Sequence, residues 1–156
     1  MYKRILVPLD GSKLSEHVLP SVRILGNAFG SSIELLRVVP ARLQGQITSN
    51  GSLEPGRRLN LHTQSLDYLN HVKKSLDHSD VGISCLVEEN DAGSCIAREA
   101  QRDPDTLIAI STHGRMGVGR WVLGTVMDKV LRTADKPMLV VRPGVGEVTA
   151  PDAEIS

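Results

Sequence analysis

Short apolar runs alternate with longer amphipathic stretches along this chain. Most of the runs are nearly continuous in apolar residues, which is typical of strands covered on both faces. The stretches between them carry apolar residues at helical spacing. The predicted strands cover 4–9, 32–39, 81–87, 106–111 and 137–142, and the predicted helices cover 13–29, 59–76, 92–102 and 126–134.

Local signals refine the predicted helices. Pro20 lies inside the first helix and predicts a kink there. Asp91 precedes the third helix and is a good N-cap residue. Thr125 and Asp128 have the spacing of a capping box at the start of the fourth.

The alternation of strand and helix predicts an α/β fold. We expect a single doubly wound, five-stranded parallel sheet in the order 3-2-1-4-5, with right-handed crossovers and helices on both faces. The first and fourth strands are then central neighbours, and their carboxyl ends form the switch point where open α/β sheets bind ligands. Asp10-Gly11-Ser12 leaves the first of these ends, and Ser111-Thr112-His113-Gly114 leaves the second. A binding site is therefore predicted between these two segments.

The regular pattern predicts one domain over residues 1–143. The stretch 41–57 is long, polar and glycine-containing, and we interpret it as a flexible loop. Residues 144–156 are rich in Gly, Pro and acidic side chains, which predicts a disordered tail.

Composition and charge narrow the functional classes. The 18 Lys and Arg residues balance 18 Asp and Glu, and aromatic residues make up 3% of the chain. Nucleic-acid binding by a basic, stacking surface is therefore not expected.

No feature of the chain predicts a membrane or secreted protein. No apolar run approaches the roughly 20 residues of a bilayer span, and no signal-peptide pattern is present at the amino end. Cys85 and Cys95 are too few for a disulfide framework and lack metal-ligand spacing. We expect reduced thiols, a cytoplasmic location and no metal held by the protein alone.

The stretch 110–126, ISTHGRMGVGRWVLGTV, is the segment richest in candidate chemistry. Its glycines let backbone N–H groups approach an anion, and the following helix start adds unpaired donors. It is not a Walker A loop, because no Lys separates Gly124 from Thr125, and the G-x-G-x-x-G pattern is also absent. The segment predicts a phosphate site in which the Thr125 hydroxyl contacts a phosphate oxygen or a phosphate-bound Mg²⁺.

Three matches in the right order resemble the universal stress protein family over residues 2–143: RILVPLDGS, ISTHGRMGVGRWVLGTV and KPMLVVRP. In its nucleotide-binding members the late motif reads G-x-x-G, nine residues, then G-[ST]. Gly114, residues 115–123 and Gly124-Thr125 match this motif, whereas Ser111 occupies the position of its first glycine. The Cβ of Ser111 would narrow the site, or its hydroxyl would supply a hydrogen bond, and the residues leave both open.

The resemblance implies binding of ATP, or of ADP or AMP, with Mg²⁺ reached through the phosphates near Thr125. Asp10 would accept hydrogen bonds from the ribose, and the backbone of Val38 would meet the adenine edge. The implied ATP-binding residues are Pro8, Leu9, Asp10, Val38, Ser111, Gly114, Arg115, Gly124, Thr125 and Val126. Three of these residues also have alternatives that involve no ligand: Asp10 as a turn residue, Thr125 as a helix cap and Arg115 as a solvated cation.

Three functions follow from this interpretation. The leading hypothesis is an ATP-binding stress-response regulator, with at most slow hydrolysis because no residue is evidently placed to activate water. The alternative is a member that binds no nucleotide and acts as a dimeric partner-binding module. Transfer of AMP to an acceptor is a third hypothesis, resting only on His113-Gly114.

The last strand also implies a partner. Segment 137–142 is predicted at a sheet edge yet is apolar, and a bare apolar edge is an aggregation hazard unless it is covered. Universal stress proteins typically pair through this strand, so the resemblance implies a homodimer.

Overall fold

Strands and helices alternate along the described part of the computed structural model, which comprises residues 1–40, 55–76, 81–112 and 124–143. In chain order the elements are β1 (Arg4–Pro8), α1 (Lys13–Glu16), α2 (Leu19–Phe29), β2 (Ser32–Val39), α3 (Pro55–Ser75), β3 (Ile83–Glu89), α4 (Ala92–Ala100), β4 (Thr106–Ser111), α5 (Thr125–Thr133) and β5 (Met138–Val141). The sequence-predicted loop 41–57 and tail 144–156 lie largely or wholly outside these ranges.

The five strands form one parallel sheet in the order β3-β2-β1-β4-β5. β1 pairs with β2 on one side and with β4 on the other. The first three strands therefore extend the sheet toward one edge, and β4 and β5 extend it toward the other. This confirms the predicted fold class, strand order and switch point.

The two faces of the sheet bury separate cores. Because consecutive strand residues point to opposite faces, Ile5 and Val7 of β1 pack into one core while Leu6 packs into the other. α2 and α3 cover the first core, and α4 and α5 cover the second. Both faces of the central strands are therefore apolar, which explains their nearly continuous apolar sequence.

The first predicted helix is wrong in detail. Segment 13–29 forms two helices, with α1 ending at Glu16 and α2 beginning at Leu19. Pro20 lies in the first turn of α2, where an N–H is unpaired in any helix, so it starts a helix instead of kinking one.

Two further predictions at helix starts are corrected. α3 begins at Pro55, so residues 55–57 are helical and do not belong to a loop. The capping box is also wrong, because Gly124 is the N-cap of α5 and no side chain in the described part of the chain caps that helix. The Asp128 carboxylate instead accepts from Arg132 Nε at 2.9 Å. The other predicted boundaries match the observed ones or differ by one or two residues, as is common at element ends.

Within the described ranges, no helix is both long and apolar enough to cross a membrane.

Candidate functional site

A cavity of about 640 Å³ opens at the carboxyl ends of the central strands. Its size is typical of small-molecule sites, which span roughly 300–1,000 Å³, and it lies at the switch point where ligands of open α/β sheets bind. The predicted site residues that line it are Pro8, Leu9, Asp10, Val38, Ser111, Gly124, Thr125 and Val126. Gly114 and Arg115 lie outside the described residues. The structure thus brings together eight of the ten predicted residues around one cavity.

The cavity wall is mainly apolar and comes from more elements than the sequence indicated. Side chains that sequence reasoning missed include Leu14 of α1, Leu36 of β2, Ile96 of α4, Ile110 of β4 and Met127 of α5. The sequence did contain a signal for Ile96. Ala92 and Ile96 are four residues apart in a predicted helix that follows a strand, so they share one face of that helix. Among the described lining residues, Asp10 is the only charged side chain. The wall suits a flat apolar group, and the single carboxylate provides a directed polar contact.

A tight turn after β1 holds the Asp10 carboxylate in place. Gly11 has a φ of +87°, a conformation that glycine adopts without steric cost. The turn lets the Ser12 backbone N–H donate to Asp10 Oδ1 at 2.8 Å and the Ser12 hydroxyl donate to the same oxygen at 2.5 Å. Ser12 Oγ also accepts from Ser15 N at 3.1 Å, which caps α1. One serine therefore joins the carboxylate to the start of a helix.

Asp10 is ionised at neutral pH. Burial raises the pKa of its carboxyl, but hydrogen bonds from Ser12 and Ser15 and the positive charge of Arg37 outweigh burial and lower the pKa below its usual 3.8. An ionised carboxylate only accepts hydrogen bonds and has about four acceptor positions. It therefore keeps acceptor capacity for hydroxyl groups of a ligand beyond the two bonds from Ser12.

Arg37 of β2 contacts the same turn. Its side chain lies on the face of the sheet opposite to that of Val38. Its guanidinium lies 3.6 Å from the position that a Cβ on Gly11 would occupy, and Nη1 donates to the Leu9 carbonyl at 3.4 Å. Sequence reasoning missed Arg37 because no motif contains it, although it directly precedes the predicted site residue Val38. Its pairing with the turn depends on the β1–β2 register and is visible only in the fold.

The start of α5 forms another side of the cavity. Gly124, Thr125 and Val126 line it, and no side chain of the described residues accepts from the first N–H groups of the helix. Helix N-termini with unpaired N–H groups attract anions through those donors and through the helix dipole. Because the predicted capping box does not form, these described residues leave the N–H groups of the helix start without a side-chain acceptor, which an anionic ligand would supply.

An ion pair joins the start of α4 to the middle of α5. Asp91 caps α4 by accepting from Ser94 N at 2.9 Å, as predicted for an N-cap residue, and its carboxylate also pairs with Lys129 Nζ at 2.7 Å. The hydrogen bond from Lys129 is the main reason that the pKa of Asp91 falls to about 2. Both helices contribute to the cavity wall, and this exposed pair links them.

Ser111 ends β4 and lines the cavity. Its Oγ is buried and has no hydrogen-bond partner among the described residues.

The described ranges contain both cysteines and several His, Asp and Glu residues. These residues contain no group of three or more His, Cys, Asp and Glu side chains that would hold a metal ion. Cys85 and Cys95 are both free, and burial raises the pKa of each thiol. Cys95 is fully buried, consistent with the interpretation of a small core thiol.

The sheet order and the cavity define an open α/β protein with a ligand crevice at its switch point. The model of the universal stress protein family matches residues 1–142, and the chain belongs to this family. Universal stress protein MJ0531 of Methanocaldococcus jannaschii is 28% identical over 142 residues, covering 91% of this chain and 83% of that protein.

Solved structures show the same fold. The structure of MJ0577 matches with a TM-score of 0.75 and 23% identity, over 94% of this chain and 99% of that one; MJ0577 is a universal stress protein of the same archaeon. A universal stress protein family member from Arabidopsis thaliana, solved with AMP bound, matches with a TM-score of 0.61 and 15% identity, over 97% of this chain and 98% of that one.

Proposed function

We propose that this universal stress protein binds ATP, or ADP or AMP, in the switch-point cavity and acts as a nucleotide-dependent stress-response regulator. The observation that carries the proposal is the composition of that cavity. An ionised carboxylate, an uncapped helix start and an apolar wall face one space of about 640 Å³. These three surfaces match the ribose, the phosphates and the base of an adenine nucleotide.

Each part of the nucleotide has a complementary surface. The adenine would lie against Pro8 and Leu9 and meet the Val38 backbone, while Asp10 would accept from the ribose hydroxyls. The phosphates would lie at the N–H groups of 124–126, where the helix dipole favours negative charge. Gly114 and Arg115 remain predicted phosphate neighbours outside the described residues.

Mg²⁺ fits this site only together with the phosphates. Asp10 is the single carboxylate among the described lining residues, and its Oδ1 already accepts twice from Ser12. A hard cation prefers several oxygen ligands and keeps waters, so phosphate oxygens and the Thr125 hydroxyl would supply them. The chain itself contributes little to holding the ion.

Hydrolysis of ATP is slow at most under this proposal. Phosphoryl transfer to water needs a residue that orients the attacking water. Among the described lining residues, the single carboxylate would serve the ribose, and no other side chain is a candidate base. A bound nucleotide would therefore persist, as a regulator requires.

The nucleotide-bound Arabidopsis relative supports this proposal. A dimeric module that binds protein partners without nucleotide is the second candidate, because Ser111 departs from the motif glycine and β5 leaves an apolar edge. A homodimer paired through 137–142 is compatible with both. We also propose a cytoplasmic location, in keeping with the two free thiols.

Calorimetric titration of the whole chain with ATP, ADP and AMP, each with Mg²⁺, tests the proposal. We expect saturable binding of one nucleotide per chain. Asp10→Asn should weaken it about tenfold, since a hydrogen bond to a charged group contributes roughly 1.5–3 kcal/mol and Asn keeps only a neutral acceptor.

Asp67→Asn is the matched control, because Asp67 is an exposed aspartate of α3 that does not line the cavity. It should bind like the wild type. A wild-type chain that gives no binding heat with any of the three nucleotides at millimolar concentration contradicts the nucleotide proposal and favours the partner-binding module.

A further inference from the structure

Ser111 presents an unsatisfied hydroxyl in a protein interior. Its Oγ is buried without a hydrogen-bond partner among the described residues. Buried polar side-chain atoms are nearly always hydrogen-bonded, and a buried orphan destabilises the protein by the full loss of its hydration. Because Ser111 lines a cavity, a group that enters the cavity, such as an ordered water or a ligand, can satisfy its hydroxyl.

Its position relates it to the parts of the proposed nucleotide site. β1 and β4 pair in register from Arg4↔Thr106 to Leu6↔Ile108. Ser111 is the last residue of β4, and it lines the cavity together with Leu9, which directly precedes Asp10. The chain after β4 leads to α5, whose start lines the same cavity. Ser111 thus shares the wall of one cavity with the proposed ribose carboxylate and with the proposed phosphate-binding helix start.

We infer that the Ser111 hydroxyl donates a hydrogen bond to the phosphate nearest the ribose, and so makes the site select nucleotides over nucleosides. This inference rests on the proposed nucleotide function. A serine hydroxyl rotates freely to meet an acceptor, and hydrogen bonds to an ionised acceptor are roughly twice as strong as neutral ones. Binding then satisfies a donor that has no partner among the described residues. The serine adds a contact that glycine at this position does not supply.

Two properties of the Ser111 variants separate this inference from a merely steric role. If the serine only narrows the site, Ser111→Gly removes an obstruction and binds AMP more tightly than the wild type. If the hydroxyl donates to the phosphate, both Ser111→Ala and Ser111→Gly bind AMP more weakly, by about ten- to a hundredfold for a lost charged hydrogen bond. Adenosine lacks the phosphate, and its affinity should stay the same in all three proteins.

Stability of the ligand-free proteins gives an independent readout. Ser111→Ala removes an orphaned hydroxyl, so its unfolding midpoint in urea should equal or exceed that of the wild type. Ser31→Ala is the matched control, because the fully buried Ser31 donates to the Tyr2 carbonyl at 2.7 Å. Ser31 precedes β2 at the opposite end of the sheet and does not line the cavity. It should lower the unfolding midpoint and leave AMP binding unchanged.

The experiment is a calorimetric titration of wild type, Ser111→Ala, Ser111→Gly and Ser31→Ala with AMP and adenosine, alongside urea unfolding without ligand. Weaker AMP binding by both Ser111 variants, with unchanged adenosine affinity, supports the inference. Wild-type binding that both variants equal or exceed overturns it and leaves the proposed function standing. A wild type that binds none of AMP, ADP and ATP overturns the proposed function, and the inference with it.

Discussion

The Asp10 carboxylate depends on its two successors in the chain. Gly11 supplies the positive φ, and Ser12 then reaches back with both its N–H and its hydroxyl to Oδ1. The same Ser12 oxygen accepts from Ser15 N, so the orientation of the carboxylate is tied to the first turn of α1. The hydrogen bonds favour the ionised form and lower the pKa against the opposing effect of burial.

Replacing Ser12 tests this residue-scale arrangement. We expect Ser12→Ala to raise the pKa of Asp10, because it removes the side-chain hydrogen bond that most strongly counters burial. Ser12→Thr retains the hydroxyl and should keep the pKa low. Carboxyl-carbon NMR across an acid titration measures both values directly.

The linked effect on stability has a definite sign. The pKa of Asp10 in the folded protein is below 3.8, so its hydrogen bonds stabilise the fold above that pH and this stabilisation is lost as the pH falls through the folded pKa. Ser12→Ala should show a smaller loss of unfolding free energy over this acid range than the wild type. Equal Asp10 pKa values in the two proteins would show that Ser12 does not hold the carboxylate.

At the scale of single residues, sequence predicted positions better than interactions. Asp10 was predictable because it follows a buried strand at the switch point. The contribution of Arg37 was not, since its contact with Gly11 crosses from one strand to another. Ser111 was identified from sequence as a departure from a motif. The lack of a hydrogen-bond partner for its hydroxyl among the described residues depends on the positions of all its neighbours, which only the structure shows.

Among the elements, α5 has the clearest consequence for function. Its N-cap is Gly124, and its first turn contains Asp128, whose carboxylate interacts with Arg132 instead of the helix start. Within the described ranges, the N–H groups at this helix start therefore have no capping side chain. A helix start that lacks its own cap gives up a little stability and gains a place for an anion.

Gly124→Asp should separate these two effects. Apart from its chain neighbours, no described residue has an atom within 4 Å of a Cβ built at Gly124, and its φ is −57°, so the described surroundings accept a side chain there. We expect the aspartate to cap α5, leaving the unfolding free energy unchanged or higher by a few tenths of a kcal/mol. Its negative charge should at the same time abolish ATP binding.

Gly124→Asn provides the matched comparison, because asparagine caps helices about as well without the charge. It should weaken ATP binding less than Gly124→Asp does. Urea unfolding and calorimetric titration on both variants measure the two effects. Equal ATP affinity in wild type and Gly124→Asp would mean that the phosphates do not lie at the start of α5.

Helix division and helix length were the least predictable features at this scale. Apolar spacing continues through 13–29 and does not reveal the break between α1 and α2, although the residue before a proline disfavours helix and Pro20 marked the region. The start of α3 at Pro55 was missed because the polar sequence there gives no apolar periodicity.

The whole molecule leaves an apolar strand at one edge of its sheet. β5 pairs only with β4 among the described strands, and Val140 is 40% exposed while Leu131 of the adjoining α5 is 48% exposed. Unpaired apolar edges tend to recruit another strand. These features support the proposed homodimer through 137–142.

Val140→Lys tests the homodimer. Charge on an edge strand opposes pairing between chains, so we expect sedimentation to show a dimer for the wild type and a monomer for the variant. Ile24→Lys is the control, since Ile24 is 65% exposed on α2 and far along the chain from the β5 edge. It should leave the dimer intact. A wild type that sediments as a monomer, or a dimeric Val140→Lys, contradicts this assembly.

The fold of the whole molecule was predictable and the full extent of its cavity was not. Alternating strands and helices with right-handed crossovers leave few possible sheet orders, and the predicted one is observed. The apolar cavity wall instead combines residues of β2, β4, α1, α4 and α5. Their convergence depends on how the helices pack over the sheet, and no single stretch of sequence carries that information.

The most direct test of nucleotide binding at the switch point is a crystal structure of the whole chain grown with saturating ATP and Mg²⁺. We expect the adenine beside Pro8 and Leu9, the ribose hydroxyls within hydrogen-bond distance of the Asp10 carboxylate, and the phosphates at the backbone N–H groups that begin α5. A nucleotide bound elsewhere, or a cavity without nucleotide at millimolar ATP, would contradict the central claim.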